Sequence, residues 1–228
     1  MRKKTIEKHK VQRDTVLAAA AKMFSERGFA GASLNDVAKD LDISRPALYY
    51  YFSSKQEILS SLVDEVSVKI NRIIKERISK SEDVVTKFYD MTYETALFVM
   101  RNTTSYMVVI KTEDELVDET RALNLEAKKA SFEAFKAVIQ EGVDAGRFRK
   151  LDSGVAALGI IGMCNWCAWW FKDAGRLSDK EVANQIAQMA LASLVVPDRG
   201  EGVRQDIAKI ADDLGAVMAS LRDLEKKY

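Results

Sequence analysis

Apolar side chains recur every three or four residues along almost the whole chain, with polar side chains between them. This spacing is typical of α-helices that bury one face, whereas strands would show strict alternation. The 228 residues include two prolines, Pro46 and Pro197, so few positions interrupt the pattern. Serine or threonine followed three residues later by glutamate predicts helix starts at Ser54, Thr112 and Ser178. The sequence predicts an all-α fold with helices near residues 10–27, 33–40, 44–51, 54–79, 83–101, 103–110, 113–145, 152–173, 178–195 and 203–226.

Residues 33–52 have the pattern of two short helices joined by a tight turn. Ser33 caps the first helix, and Asp36, three residues on, completes a capping box. Apolar positions at helical spacing then form one face, made by Leu34, Val37, Ala38 and Leu41. Asp42 tolerates the left-handed conformation of a tight turn, and Ser44 caps the second helix. This layout predicts a helix-turn-helix, a common DNA-reading motif.

The second of these helices has an outward face that its own small domain does not cover. Leu48 and Phe52 point towards the first helix, whereas Pro46 and Tyr50 point the opposite way, flanked by Arg45. Arginine can reach guanine O6 and N7, and tyrosine hydroxyls can bind phosphates. A helix start is also a phosphate site. The alternative is that some of these tyrosines pack in a core. The predicted DNA contacts are Ser33, Ser44, Arg45, Pro46, Ala47, Tyr49, Tyr50 and Lys55.

The distribution of charge also favours DNA at this end of the chain. The formal net charge is +1, but residues 1–55 hold eleven Lys/Arg against six Asp/Glu, giving +5, and residues 56–228 carry −4. A basic arm precedes and enters the first helix, formed by Arg2, Lys3, Lys4, Lys8, Lys10 and Arg13. Such an arm can follow the phosphate backbone or enter a minor groove, or it can simply be solvated.

These residues carry a resemblance to the TetR (tetracycline-repressor) family over about residues 10–58. The matching pattern is Phe24-x-x-Arg27-Gly28-Phe29, Ala32-Ser33, Val37-Ala38, Ile43-Ser44, Leu48-Tyr49-x-Tyr51-Phe52 and Lys55. The resemblance implies an all-helical homodimeric regulator, usually a repressor, that a small ligand releases from palindromic DNA. It implies a DNA-binding domain at residues 1–55 and a ligand-binding and dimerisation domain at 56–228, with the boundary inside helix 54–79. Asp42 and Pro46 depart from the family pattern, since many members have glycine or a small residue there.

Small residues crowd the helix predicted at 152–173, which indicates close approach of another helix. They are Gly154, Ala156, Ala157, Gly159 and Gly162. The resemblance to the TetR family implies that the helices predicted at 152–173 and 178–195 form the four-helix interface of the dimer. The run from Gly162 to Phe171 adds Cys164, Cys167 and three tryptophans. Three explanations of this run are open: packing in the core or at the dimer interface, the wall of a ligand pocket, or a metal or redox site formed by the two cysteine thiols. The third is disfavoured, because a zinc site needs two further ligands and the single histidine, His9, lies in the basic arm.

A ligand pocket would draw on methionine and aromatic side chains of four predicted helices. The alternative for each is plain core packing. The candidates are Phe88, Met91, Tyr93, Phe98, Tyr106, Phe132, Phe135, Met163, Asn165, Trp166, Trp169 and Trp170. A second resemblance covers Glu141-Gly142-x-x-x-Ala145-Gly146-x-Phe148, Asp152, Gly162-Met163-x-Asn165-Trp166-x-x-x-Trp170 and Leu177-Ser178. At these positions the chain is similar to TetR-family members that respond to acyl-CoA. This resemblance implies a bulky acyl thioester as effector. A CoA would need cations at the pocket mouth, for which Lys128, Lys129 and Arg147 are candidates.

Composition narrows the remaining classes. No apolar run is long enough to span a bilayer, and no leader peptide is expected, so we expect no membrane partner. Two cysteines make no disulfide framework, which favours the cytoplasm. No nucleophile–base pair stands out, so we expect no enzyme and no cofactor. A multidrug-sensing repressor of an efflux gene and a DNA-architectural protein without effector are the alternatives. The helix at 203–226 is expected to be covered by helix 178–195 or by a dimer partner.

Overall fold

The computed structural model describes residues 2–195, with side chains described from residue 13 onwards. The predicted helix at 203–226 and the side chains of the basic arm before Arg13 lie outside the described residues. Regular elements of residues 2–195 are helical, as predicted. They are α1 (Arg2–Gly31), α2 (Leu34–Asp40), α3 (Arg45–Tyr51), α4 (Lys55–Val63), α5 (Lys69–Lys80), α6 (Val84–Arg101), α7 (Thr103–Lys111), α8 (Asp118–Asp144), α9 (Ser153–Trp170) and α10 (Asp179–Leu194).

A π-helical turn at Asp64–Val68 joins α4 to α5 without a break, since the residues on both sides keep helical backbone angles. We call α4, this turn and α5 together the connecting helix; it corresponds to the single helix predicted at 54–79. Single-turn π-helices inside α-helices occur frequently at functional sites.

Several predicted helix ends differ from the structure; the helix predicted at 152–173, for example, ends at Trp170. α1 continues beyond the predicted end at residue 27, with a kink at Gly28, whose φ of 73° is left-handed and therefore favours glycine. The predicted capping box of Thr112 with Glu115 is wrong: the Thr112 hydroxyl donates to the carbonyl of Val108, 2.7 Å away. Residues 113–115 form a 3-10 turn instead, and α8 starts at Asp118.

The helices bury two main groups of apolar side chains. The first joins α1, α2 and α3 to α4 and α7, and includes Phe24, Leu48, Phe52, Leu62 and Val108. The second lies where α6 meets α9 and α10, and includes Leu97, Met100, Cys164, Cys167 and Val182. Residues up to Leu194 form one compact unit, in which α2 and α3 pack against each other and against α1, and α1 packs against α4 and α7. The domain boundary inside the connecting helix stays a prediction.

Candidate nucleic-acid interface and internal cavity

The exposed face of α3 has the orientation that the sequence predicts. The Ser44 side chain accepts a hydrogen bond from the Ala47 amide at 3.3 Å, and Pro46 follows in the first turn. Leu48 is fully buried and Tyr50 is 72% exposed. The other outward residues of this face, Arg45, Pro46, Ala47 and Tyr49, are also exposed.

The turn between α2 and α3 contains a left-handed residue, Asp42, and does not need a glycine at that position. Asp42 has φ 50°, and it is the only non-glycine residue with a positive φ in the described part of the chain. Aspartate is one of the few residues that adopt this conformation at low cost. The Ile43 amide donates to the carbonyl of Ala38 at 3.0 Å and closes the end of α2.

The capping box at the start of α2 forms as predicted, and it occupies Ser33. The Ser33 hydroxyl donates to the Asp36 carboxylate, and the Asp36 amide donates to the Ser33 oxygen at 3.2 Å. The Ser33 hydrogen bond lowers the pKa of the Asp36 carboxyl from its ordinary value. An ionised carboxylate at this helix start competes with a phosphate for the same amides. The DNA contact of Ser33 stays a prediction.

Lys55 and Arg13 form hydrogen bonds between the helices that surround the helix-turn-helix. The Lys55 ammonium donates to the carbonyls of Phe29 at 2.7 Å and Ala32 at 2.8 Å, so it closes the end of α1. The Arg13 guanidinium donates to the Ser61 hydroxyl at 2.8 Å and lies 4.6 Å from the centre of the Phe52 ring. Arg13, which the sequence groups with the basic arm, therefore links α1 to α3 and α4. The DNA contact predicted for Lys55 is not tested by these bonds.

An apolar cavity of about 420 Å³ lies between the π-helical turn and helices α5 to α9. Five predicted ligand residues line it, namely Phe98, Tyr106, Phe132, Phe135 and Asn165. The apolar wall also contains Ile70, Ile74, Val99, Val109, Leu158 and Ile161. The volume lies at the small end of the range of about 300–1,000 Å³ typical of ligand pockets.

The other predicted ligand residues do not line this cavity. Phe88 and Met91 are fully buried, and the Phe88 ring packs edge-on against Phe148 at 5.6 Å. Tyr93 stacks on Tyr89 at 6.2 Å and packs beside α9 and α10. Met163 is half-buried on α9. The tryptophans Trp166, Trp169 and Trp170 point outward and are 61%, 48% and 46% exposed.

Polar groups of the cavity wall were missed by sequence reasoning. Asn124 is fully buried, and its Oδ1 accepts a hydrogen bond from the Ser67 hydroxyl at 2.7 Å. Ser131 and Thr95 also contribute to the wall. A signal existed in the sequence, because Asn124, Ser131 and Phe135 share one face of α8 at helical spacing. A polar residue on an otherwise buried face is informative.

One of the predicted cations lines the cavity. The Lys128 ammonium lies 2.6 Å from the Glu113 carboxylate, and both half-exposed side chains belong to the cavity wall. Lys129 is exposed and does not line the cavity. Arg147 lies 3.5 Å from Asp83, away from the cavity wall.

The outer face of α9 is apolar and uncovered. We define it by Val155, Leu158, Trp166, Trp169 and Trp170, each between 46% and 70% exposed. The rings of Trp166 and Trp169 stack 5.6 Å apart. Gly159 and Gly162 are exposed on the same helix, with nothing within 4 Å of where a β-carbon would stand. Large exposed apolar patches of this kind mark interaction sites.

The two cysteines are buried free thiols. The Cys164 thiol donates to the carbonyl of Thr92 at 3.7 Å. Burial raises the pKa of Cys164 well above its ordinary range and that of Cys167 to about 11. Residues 13–195, whose side chains the structure describes, contain no group of three or more His, Cys, Asp or Glu that could hold a metal. Among the same residues, no helix has the length and apolarity to cross a membrane.

Two protein-family models match the chain. The model for bacterial regulatory proteins of the tetR family matches residues 16–62, which include the helix-turn-helix. The model for tetracyclin repressor-like C-terminal domains matches residues 81–194, half of the chain, which include most of the cavity wall and the outer face of α9.

Individual relatives give the same picture. The HTH-type transcriptional repressor KstR2 of Rhodococcus jostii strain RHA1 is 26% identical over 196 residues, 82% of this chain and 92% of KstR2. The biofilm operon negative transcriptional regulator IcaR of Staphylococcus aureus strain Newman is 33% identical over 82 residues; the match covers 36% of this chain and 44% of IcaR. The crystal structure of AibR with isovaleryl coenzyme A and operator DNA has a TM-score of 0.65 at 24% identity, covering 78% of this chain and 96% of AibR.

Proposed function

Because the chain belongs to the TetR family of bacterial regulatory proteins, we propose that it is a homodimeric repressor released from a palindromic operator by an apolar small molecule. Its relatives KstR2 and IcaR are transcriptional repressors. The observation that carries the proposal is that one continuous helix begins directly after the DNA-reading helix α3 and lines the cavity.

The exposed face of α3 supports direct contact with DNA. In this proposal Arg45 contacts a guanine edge or a phosphate, and Tyr49 and Tyr50 contact phosphates and thymine methyl groups. Ser44 presents the start of the helix to the backbone. Pro46 lacks an amide hydrogen and the Ala47 amide is bonded to Ser44, so in this proposal both contact the groove through apolar atoms.

The outer face of α9 supports a homodimer. Burying one leucine-sized side chain is worth about 1.5–3 kcal/mol, so a face with three half-exposed tryptophans is costly to leave in water. Gly159 and Gly162 would allow the partner's helix to approach closely, and Met189 on α10 extends the face. The two reading helices of a dimer must lie about 34–36 Å apart, or a multiple of that, to enter successive major grooves.

The connecting helix supports a mechanical link between ligand and DNA. Val66 and Ser67 of the π-helical turn line the cavity. Ser60 accepts from the Thr120 hydroxyl at 3.2 Å, and Gln56 donates to the carbonyl of Glu115 at 3.0 Å. α4 is thus bonded to α8 and to the turn before it. A ligand that displaces these elements would tilt α4 and change the separation of the reading helices.

The cavity supports an acyl group as the effector's apolar part. Its wall is predominantly hydrocarbon and aromatic, so it suits the acyl part of an acyl-CoA and not the nucleotide part. A nucleotide part would therefore lie outside, near the half-exposed Lys128. AibR binds isovaleryl coenzyme A in its crystal structure, which is the precedent in this fold. A ligand acts through its different affinity for the two states of the dimer.

Two steps test the proposal. An operator is first selected from a random duplex pool with the full-length protein, and small molecules extracted from the purified protein are identified by mass spectrometry. Adding the identified molecule should then dissociate the operator complex. A cationic drug instead of an acyl compound would favour the multidrug sensor. Persistence of the complex with the extracted compounds, fatty acids, acyl-CoAs and drugs would refute ligand release.

A further inference from the structure

A buried amide of the cavity wall has an unused hydrogen-bond donor. Asn124 is fully buried, and its Nδ2 has no hydrogen-bond partner among the described residues. Asn124 lines the cavity, which offers no protein acceptor to this group. Leaving a buried donor unpaired costs about the full desolvation of that group, so native interiors rarely contain one without a reason.

The other end of this amide is already paired. Oδ1 accepts the Ser67 hydroxyl at 2.7 Å, and Nδ2 is the unpaired end. Ser67 belongs to the π-helical turn, so the amide connects α8 to the connecting helix.

The neighbouring amide shows that the wall can satisfy such groups. Asn71 Nδ2 donates to the carbonyls of Ser67 and Ala127, both at 2.8 Å, and its Oδ1 accepts the Ser131 hydroxyl at 2.9 Å. Arg77 Nε is the other buried unpaired side-chain atom of the described residues, but its guanidinium pairs with Glu94 at 2.6 Å. Asn124 is therefore the unsatisfied polar group of the cavity.

We propose that Asn124 Nδ2 donates a hydrogen bond to a carbonyl oxygen of the effector. The inference rests on the proposed function and narrows the effector to an apolar molecule with a carbonyl-type acceptor that reaches the cavity interior, such as an acyl thioester, ester or ketone. A site that hydrogen-bonds one ligand group rejects analogues without it, because the site's own polar group is then left unpaired.

The test uses two probes of equal shape on the full-length protein. 2-Nonanone carries the carbonyl, and 2-methyl-1-nonene replaces its oxygen by a CH₂ group. Dissociation constants are measured by calorimetry or by competition with a fluorescent fatty-acid analogue. For each variant, the dissociation constant of the alkene is divided by that of the ketone. Comparing this ratio between variants removes the effect of the different aqueous solubilities of the two probes.

Asn124→Leu should lower this ratio about twofold to tenfold, since it removes a buried hydrogen bond of ordinary net strength. Asn184→Leu is the matched control and should leave the ratio unchanged, because Asn184 is a half-buried amide on α10 that does not line the cavity. Asn124→Ala, which adds no volume, is measured alongside, and circular dichroism verifies that each variant is folded. An unchanged ratio in both Asn124 variants, loss of the ratio in the Asn184 variant, or no binding of either probe would overturn the proposal.

Operator release is measured separately with the same probes. Asn124-dependent preference for the ketone without any effect on operator binding would refute ligand release and leave the carbonyl site standing. Release of the operator by both probes, with no preference for the ketone that depends on Asn124, would support ligand release and refute the carbonyl site.

Discussion

Replacing Gly142 by alanine would place a methyl group against the ring of Phe148. A β-carbon built at Gly142 would lie 2.1 Å from Cδ2 and 2.3 Å from Cε2 of that ring. Optimal carbon–carbon contacts lie at about 3.5–4.0 Å, so the overlap exceeds 1 Å. The ring has little freedom to move, because it is buried against Phe88 at 5.6 Å and the Phe148 amide donates to the Gly142 carbonyl at 2.9 Å.

Two opposing terms set the size of the effect. Alanine gains about 1 kcal/mol over glycine inside a helix. Overpacking a core costs about 1–3 kcal/mol, and an overlap this large belongs at the upper end. The net expectation is a loss of about 2 kcal/mol in the free energy of unfolding, which lowers Tm by about 4–8 °C for a chain of this size.

Thermal unfolding at one fixed protomer concentration measures the shift, because Tm of a dimer depends on concentration. Gly31→Ala is the control, since the nearest atom to its β-carbon would be Arg27 Cβ at 3.9 Å; its Tm should stay the same or rise slightly. Phe148→Leu should recover part of the loss in the double variant. A Tm of Gly142→Ala equal to or above wild type would refute the packing described for Phe148. Ligand affinity below the transition should not change, because neither phenylalanine lines the cavity.

Three further outcomes are expected. Arg45→Ala should weaken binding to the selected operator by about 1–3 kcal/mol and relax specificity at one base pair; equal weakening on all sequences would assign Arg45 to a phosphate. Trp166→Asp should shift the protein from dimer to monomer in analytical ultracentrifugation, because it puts a charge in the outer face of α9; a dimer of undiminished affinity would argue against that interface. Burial raises the pKa of Cys167 from 9.0 to about 11, so its thiol stays protonated at pH 8 and the thiolate fraction falls about a hundredfold. Iodoacetamide should therefore label Cys164 and Cys167 far more slowly in the folded than in the urea-unfolded protein, and equal rates would contradict the burial.

Local signals in the sequence were sufficient for most of the helices. The apolar period and the capping residues Ser33, Ser44 and Ser54 locate α2, α3 and α4, and each of these serines forms its predicted cap. The kink at Gly28 depends on the backbone angles of that residue. The predicted capping box at Thr112 does not form, because the Thr112 hydroxyl bonds to the preceding helix. A capping motif in the sequence does not determine either of these.

The cavity was harder to predict, because it depends on which face of each helix is covered. Phe98 and Phe135 line it, while Phe88, with the same chemistry, packs in the core. α9 is apolar on nearly all sides, so its period does not separate the buried Cys164 from the exposed Trp166. Asn165 was predicted as a ligand residue and lines the cavity, but the fully buried Asn124 was not predicted, because its burial depends on how α8 packs against the other helices.

In the proposed mechanism, occupation of the cavity releases the protein from DNA. This release can be measured by fluorescence anisotropy of the selected operator duplex, titrated with the molecule extracted from the native protein. We expect the anisotropy to fall to the value of free DNA over the same concentrations that fill the cavity in a direct binding assay. An operator complex that stays intact after the cavity is saturated would contradict it.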